Sequence, residues 1–173
     1  ACGKTPGRGG LMAGTYATQT TVPVERSRGQ IEDLLHRCGC DQFGYGTEPG
    51  RAMLMFRMKG ARGPVSMRMI LPLPAKGDRR FTHGWRGSAT IPAPDYAVQE
   101  RWEQACRSAW RSLYLVIKAK LEAVAAGIST VEREFLADVL LPQGETVGEV
   151  VERSTDVIAA GAKFNLLPAG AGA

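Results

Sequence analysis

Hydrophobic residues recur along this chain with two different periods, and the order in which the periods alternate predicts a fold. Apolar residues at Ile31, Leu34, Leu35 and Cys38 follow the i, i+3, i+4, i+7 spacing of one helix face. Ser27 and Gln30 form a capping-box pattern that places the start of this helix, and Gly39 supplies a left-handed stop. The period then falls to two. Gln42 to Gly46 is short and aromatic. Ala52, Leu54, Phe56 and Met58 alternate with Met53, Met55, Arg57 and Lys59, and Val65, Met67, Met69 and Leu71 alternate with Ser66, Arg68 and Ile70. Thr47-Glu48-Pro49-Gly50 and Gly60-Ala61-Arg62-Gly63-Pro64 are turns by composition, and Pro72 and Pro74 end the last strand. Connections this short join antiparallel neighbours, so the three runs predict a meander.

The helical period returns from about Tyr96 to Ala126. Trp102, Cys106, Ala109, Trp110, Leu113, Val116, Ile117, Leu121 and Val124 fall on one side, and Glu103, Arg107, Arg111, Lys118 and Glu122 on the other. Tyr114 and Leu115 lie off the apolar stripe and suggest a second contact surface. Lys120 falls near the middle of the stripe, where an ammonium must pair, snorkel or titrate with a lowered pKa. Gly127 ends the helix. Ser129 with Glu132, and Thr146 with Glu149, then mark the starts of two short helices. The fold class is α+β: a short N-terminal helix, a three-stranded antiparallel meander, a long helix, and two short C-terminal helices.

One domain over residues 19–160 accounts for these elements. Residues 1–18 read as a disordered extension and residues 161–173 as a loose tail. Met12 is a plausible natural start, which would make the first eleven residues an upstream addition. Gly3-Lys4-Thr5 ends like a phosphate-binding loop, but no strand precedes it and glycines follow where a helix must begin. Residues 75–94 show no periodicity, and a loop that long inside a compact domain is often functional.

Composition narrows the setting. No apolar run nears the roughly 18–20 residues that span a bilayer, and the longest, Leu113 to Ile117, is followed at once by Lys118. The N-terminus lacks the apolar segment of a secretory signal, so a cytoplasmic protein without a membrane partner is expected. Of Cys2, Cys38, Cys40 and Cys106, Cys38 and Cys106 read as small core residues, and Cys38-Gly39-Cys40 lacks a second pair or a nearby His to complete a metal site. His36 and His83 are far apart in sequence, and no nucleophile–base arrangement has recognisable local context. Glu132, Glu134 and Asp138 could share a helix face, as catalytic carboxylates or as a solvated charged surface. No catalytic residue, metal site or cofactor is identified, and an enzyme with an unrecognised site, using Lys120 or His83, stands as a second alternative to a binding role.

Four segments resemble a family associated with bacteriophages and integrated mobile elements: YATQTTVPVERSRGQIEDLLHRCGCDQFGYG (Tyr16–Gly46), VSMRMILPLP, WEQACRSAWRSLYLVIKAKLEAVAAGIS (Trp102–Ser129) and VLLPQGETVGE. The family carries no assigned activity, so the resemblance implies a bacterial, phage-related context and transfers no functional residue.

Charge supplies the strongest functional signal. Between Arg51 and Thr90 nine basic residues stand against the single acid Asp78, a net of +8, whereas the whole chain is +5. Arg57, Lys59, Arg62, Arg68, Lys76, Arg79, Arg80 and Arg86, interleaved with Phe81, His83 and Trp85, are the residue types that hold a phosphate backbone and stack bases. These eleven are the expected contact set for DNA or RNA. A basic solvated surface is the competing reading, and a host-protein partner or homo-oligomer is the other. Should the hairpin place Arg57 opposite Arg68, the paired like charges would favour an anionic partner. The helix–sheet–helix order is shared with double-stranded-RNA-binding domains and with phage annealing proteins. However, Tyr96-Ala97-Val98-Gln99 at the start of the long helix lacks the lysines the former use.

Overall fold

The first helix begins about one turn before its capping pattern. In the computed structural model, which describes residues 17–86 and 89–161, α1 runs Val24–Arg37, with Pro23 as an extended N-cap whose side chain makes no capping bond. Ser27 is instead fully buried in the first turn, its backbone N–H donating to the Pro23 carbonyl at 3.1 Å. Gln30 accepts a bond at 2.7 Å from Arg111 rather than capping. The pattern misled because Ser27 and Gln30 have the right spacing, while a preceding proline, with its fixed φ, can start a helix without a side-chain cap. The stop is as expected: Gly39 sits at φ 82, in the left-handed region. Cys38, at the C-cap, is exposed, and Cys40 takes the buried position.

The meander forms as the alternation predicts. Strands β1 (Gln42–Glu48), β2 (Arg51–Gly60) and β3 (Gly63–Pro72) pair antiparallel in the order β1-β2-β3. Ala52, Leu54, Phe56 and Met58 of β2, and Met67 and Met69 of β3, are buried on one face. They join Ile31, Leu34 and Leu35 of α1 in a single core. The helix α3 (Asp95–Ala125), about 46 Å long, adds Trp110, Leu113, Ile117 and Leu121. Val116, assigned to the apolar stripe, is exposed, and Tyr114 and Leu115 are partly buried. The real stripe is narrower than the sequence suggested and centres on Leu113, Ile117 and Leu121.

The span 75–94 is not structureless. It holds a one-turn helix, α2 (Arg79–Thr82), and a small hairpin of β4 (His83–Arg86) and β5 (Ala89–Pro92), forming a second sheet. Four-residue strands are too short to establish an alternation against the background of the chain.

After Gly127, α4 (Val131–Glu134) is capped by Thr130 and not Ser129, its hydroxyl accepting from Arg133 N–H at 3.4 Å. A 3₁₀ turn over Leu136–Asp138 follows. Glu132, Glu134 and Asp138 therefore do not share a helix face. Glu132 accepts from the Ala61 N–H in the β2–β3 turn, and Asp138 pairs with Lys120 at 3.0 Å. A side chain on Gly60 would meet the Glu132 carboxylate and Val65, so it would displace Glu132 from its bond to the turn. Of the three fates open to Lys120, pairing is the one observed, with the ammonium 4.8 Å above the Phe135 ring. The capping box at Thr146 and Glu149 is complete and opens α5 (Val147–Arg153), followed by α6 (Thr155–Ala159).

Ala17 is buried, and the Thr18 carbonyl accepts from Gln104 at 3.0 Å, so contact with α3 starts inside the expected N-terminal extension. The rest of that extension, Gly3-Lys4-Thr5 and Cys2 within it, and the tail after 161 lie outside the described residues.

Candidate nucleic-acid interface

The eleven expected contact residues do not form one surface. Arg57 and Arg68 are not cross-strand partners: Arg57 lies opposite Ser66, and Arg68 opposite Met55. Each has its own carboxylate. Arg57 makes a bidentate contact to Asp41, with Nη2 donating to Oδ2 at 2.7 Å, and this hydrogen bond holds the Asp41 carboxyl below its ordinary range. Arg68, its side chain only 19% exposed, donates to Glu149 at 2.5 Å and to the Gly144 carbonyl at 2.9 Å. The Glu149 carboxyl is lowered first by the Thr146 N–H that it caps, and also by Arg68. A guanidinium locked in this way fastens β3 to α5. Arg68, held inside the fold, has little to offer a phosphate, whereas the Arg57–Asp41 pair is exposed and only partly occupies its guanidinium.

Lys59 and Arg62 stand at the β2–β3 turn, Arg62 near Glu132. The ten-residue strand β3 separates them from the loop at its other end by roughly 30 Å. The +8 block is thus divided into a turn cluster and a loop cluster, with the paired Arg57 and Arg68 between and Arg51 paired with Glu48 at the β1–β2 turn.

The loop cluster does converge. Arg79, Arg80, His83, Gly84, Trp85 and Thr90 line a cleft of about 710 Å³ together with Arg101 from α3. Trp85 is 79% exposed, which leaves its indole face open. Arg101 holds the hairpin to the long helix, Nη1 donating to the carbonyls of His83 at 3.1 Å and Phe81 at 3.4 Å. Gly84 lies against the same guanidinium, where a Cβ would sit 3.6 Å from Nη2. Arg80 makes a 3.3 Å pair with Asp78, and Arg79 has no ion pair among the described residues. Thr82 Oγ1 lies 2.9 Å from His83 Nδ1, which fixes the ring at the cleft wall. A second cleft of about 690 Å³ is also lined by Arg80 and Arg101, so the two clefts share these side chains.

Phe81 is a correction. It is the buried residue of α2, 5% exposed, with Arg80 4.6 Å above its ring, so it anchors the loop and presents no face to a base. Lys76 is exposed, 5.9 Å from the Trp102 ring. The Arg86 side chain lies outside the described residues. Arg101 was missed because it sits outside the basic block, in a helix with mixed charges. Its only sequence signal is a position nearly two turns into α3, soon after the loop.

Partial desolvation pushes up the thiols of Cys38, although that residue is exposed, and of Cys106, which works against thiolate reactivity. Among the described residues no group of His, Cys, Asp and Glu could hold a metal ion, and no helix is long and apolar enough to cross a membrane. No protein-family model matches the chain, and neither does any curated protein or solved structure.

Proposed function

We propose that this protein binds nucleic acid non-specifically, with single strands preferred, at the cleft between the β4–β5 hairpin and α3. One observation carries the reading: an open indole, Trp85, stands beside three arginines that converge from α2 and α3. Stacking on an exposed aromatic ring suits any unpaired base, and clustered arginines suit the backbone. The working set is Lys76, Arg79, Arg80, His83, Trp85 and Arg101, with Arg86 adjacent in sequence. Lys59 and Arg62 form a separate basic point, while Arg57, Arg68 and Phe81 serve the fold. With the resemblance as its only support, the setting would be the bacterial cytoplasm, in a replication or recombination accessory of a phage or mobile element. That role is binding without catalysis.

Fluorescence anisotropy with a labelled oligonucleotide tests this. Four phosphate contacts, from Lys76, Arg79, Arg80 and Arg101, give a log–log salt slope of about −2 to −3 for single strands. Absence of binding at low salt, or binding indifferent to salt, would refute the proposal.

A further inference from the structure

The two edges of the meander are treated differently. The outer side of β3 is covered: the Leu140 N–H donates to the Ser66 carbonyl at 2.9 Å, and Val139 bridges Met67. Among the described residues the outer side of β1 has no strand beside it.

The register identifies which β1 groups are left over. The Leu73 N–H donates to the Gly50 carbonyl at 2.8 Å, one step beyond the Arg51–Pro72 pair. In an antiparallel ladder bonded and non-bonded pairs alternate, so the even-numbered residues of β2 bond to β3 and the odd-numbered ones to β1. Their β1 partners are Gln42, Gly44, Gly46 and Glu48. The backbone N–H and C=O groups of Phe43, Tyr45 and Thr47 therefore point to the open edge, and none of them bonds to another element among the described residues.

Exposed edges are normally defended by lysine, proline or a bulge. Strand β1 reads Gln-Phe-Gly-Tyr-Gly-Thr-Glu, its register with β2 is unbroken, and its one charge, Glu48, already pairs with Arg51 at 2.7 Å. All its residues but Phe43 are exposed.

We infer that β1 pairs antiparallel with β1 of a second copy of this chain, about a two-fold axis at Tyr45. The strand is complementary to itself in that register. Tyr45 faces Tyr45, and Phe43 faces Thr47 of the second copy, so that the free groups form about six backbone hydrogen bonds. On the outer face Gly44 faces Gly46, which removes any side-chain collision at the closest pair, and Gln42 faces Glu48, where an amide can donate to a carboxylate. The same pairing joins the two outer sheet faces. Met55 and Ile70, 43% and 41% exposed on that face, then belong to one continuous apolar strip flanking the junction. A six-stranded sheet results. This pairing does not depend on the nucleic-acid reading.

Sedimentation velocity from low-micromolar to near-millimolar protein is the test. The wild-type chain is expected to shift from monomer to dimer mass with rising concentration. Thr47→Pro removes an N–H that points outward and no bond to β2, a position where proline is tolerated; it is expected to abolish the dimer with an unchanged circular dichroism spectrum. Thr47→Val is expected to keep the dimer. Should Thr47→Pro unfold, hydrogen exchange on the wild type gives the answer, because the amides of Phe43, Tyr45 and Thr47 become protected only at high concentration. A monomer at every concentration, a dimer indifferent to Thr47→Pro, or edge amides whose exchange ignores concentration would each overturn the inference.

Discussion

Replacing Phe135 by alanine is expected to destabilise the fold by about 3–5 kcal/mol, the range for deleting a fully buried aromatic ring. Phe135 is 0% exposed and meets Phe56 of β2 edge-on, with ring centroids 5.5 Å apart. It sits at the junction of the sheet, the long helix and the C-terminal segment, so its removal opens a cavity that three elements border. A second effect follows from Lys120, whose ammonium lies over the same ring and pairs with Asp138. Losing the ring removes one of the two groups that stabilise a partly buried charge. Denaturant unfolding checks the prediction: the midpoint falls sharply with little change in slope. A loss below about 1 kcal/mol would mean that the site collapses around the vacancy and that Phe135 is not the keystone of this packing.

Trp85→Ala is the complementary case, with a large effect on binding and little on stability. Removing a stacking ring costs about 1–3 kcal/mol, or roughly 5- to 150-fold in affinity for a single strand. Trp85 is mostly solvent-facing, so the unfolding midpoint is expected to stay within about 0.5 kcal/mol of the wild type. Trp85→Phe keeps an aromatic face and is expected to retain most of the affinity. Phe81→Ala would fail as a comparison, since Phe81 is the buried anchor of α2 and its loss disturbs the whole loop. Equal affinities for wild type and Trp85→Ala would remove stacking from the account and leave only a basic surface.

The fold was largely legible because burial writes itself into period. Alternation over β2 and β3 assigned the correct residues to the core face, and the helical spacing of α1 and α3 placed both helices. Local signals failed where two readings share one spacing. Ser27 with Gln30 and Ser129 with Glu132 both mimic a capping box, yet Pro23 and Thr130 are the residues at those helix starts. The β4–β5 hairpin was hidden by its brevity.

The site was less legible, for a reason of distance. Arg57 pairs with a carboxylate 16 positions away and Arg68 with one 81 positions away, so their neutralisation is invisible in a local charge sum. Arg101 is the converse. It joins the loop cluster only because α3 passes beside the hairpin, and a window that ends at Thr90 leaves it out. Charge density found the region, and tertiary contacts decided which members of it stay free.

The indole N–H signals of the three tryptophans allow the central claim to be read directly by ¹H–¹⁵N correlation spectra during titration with a short single-stranded oligonucleotide. Trp110 is buried, and Trp102 Nε1 donates to the Pro74 carbonyl at 2.8 Å, so both are occupied within the fold. The Trp85 indole is expected to shift progressively with added oligonucleotide at low salt, to return as salt is raised, and to move far more than the other two. An oligonucleotide that leaves the Trp85 signal in place, or that moves Trp102 or Trp110 in its stead, would contradict binding at the hairpin cleft.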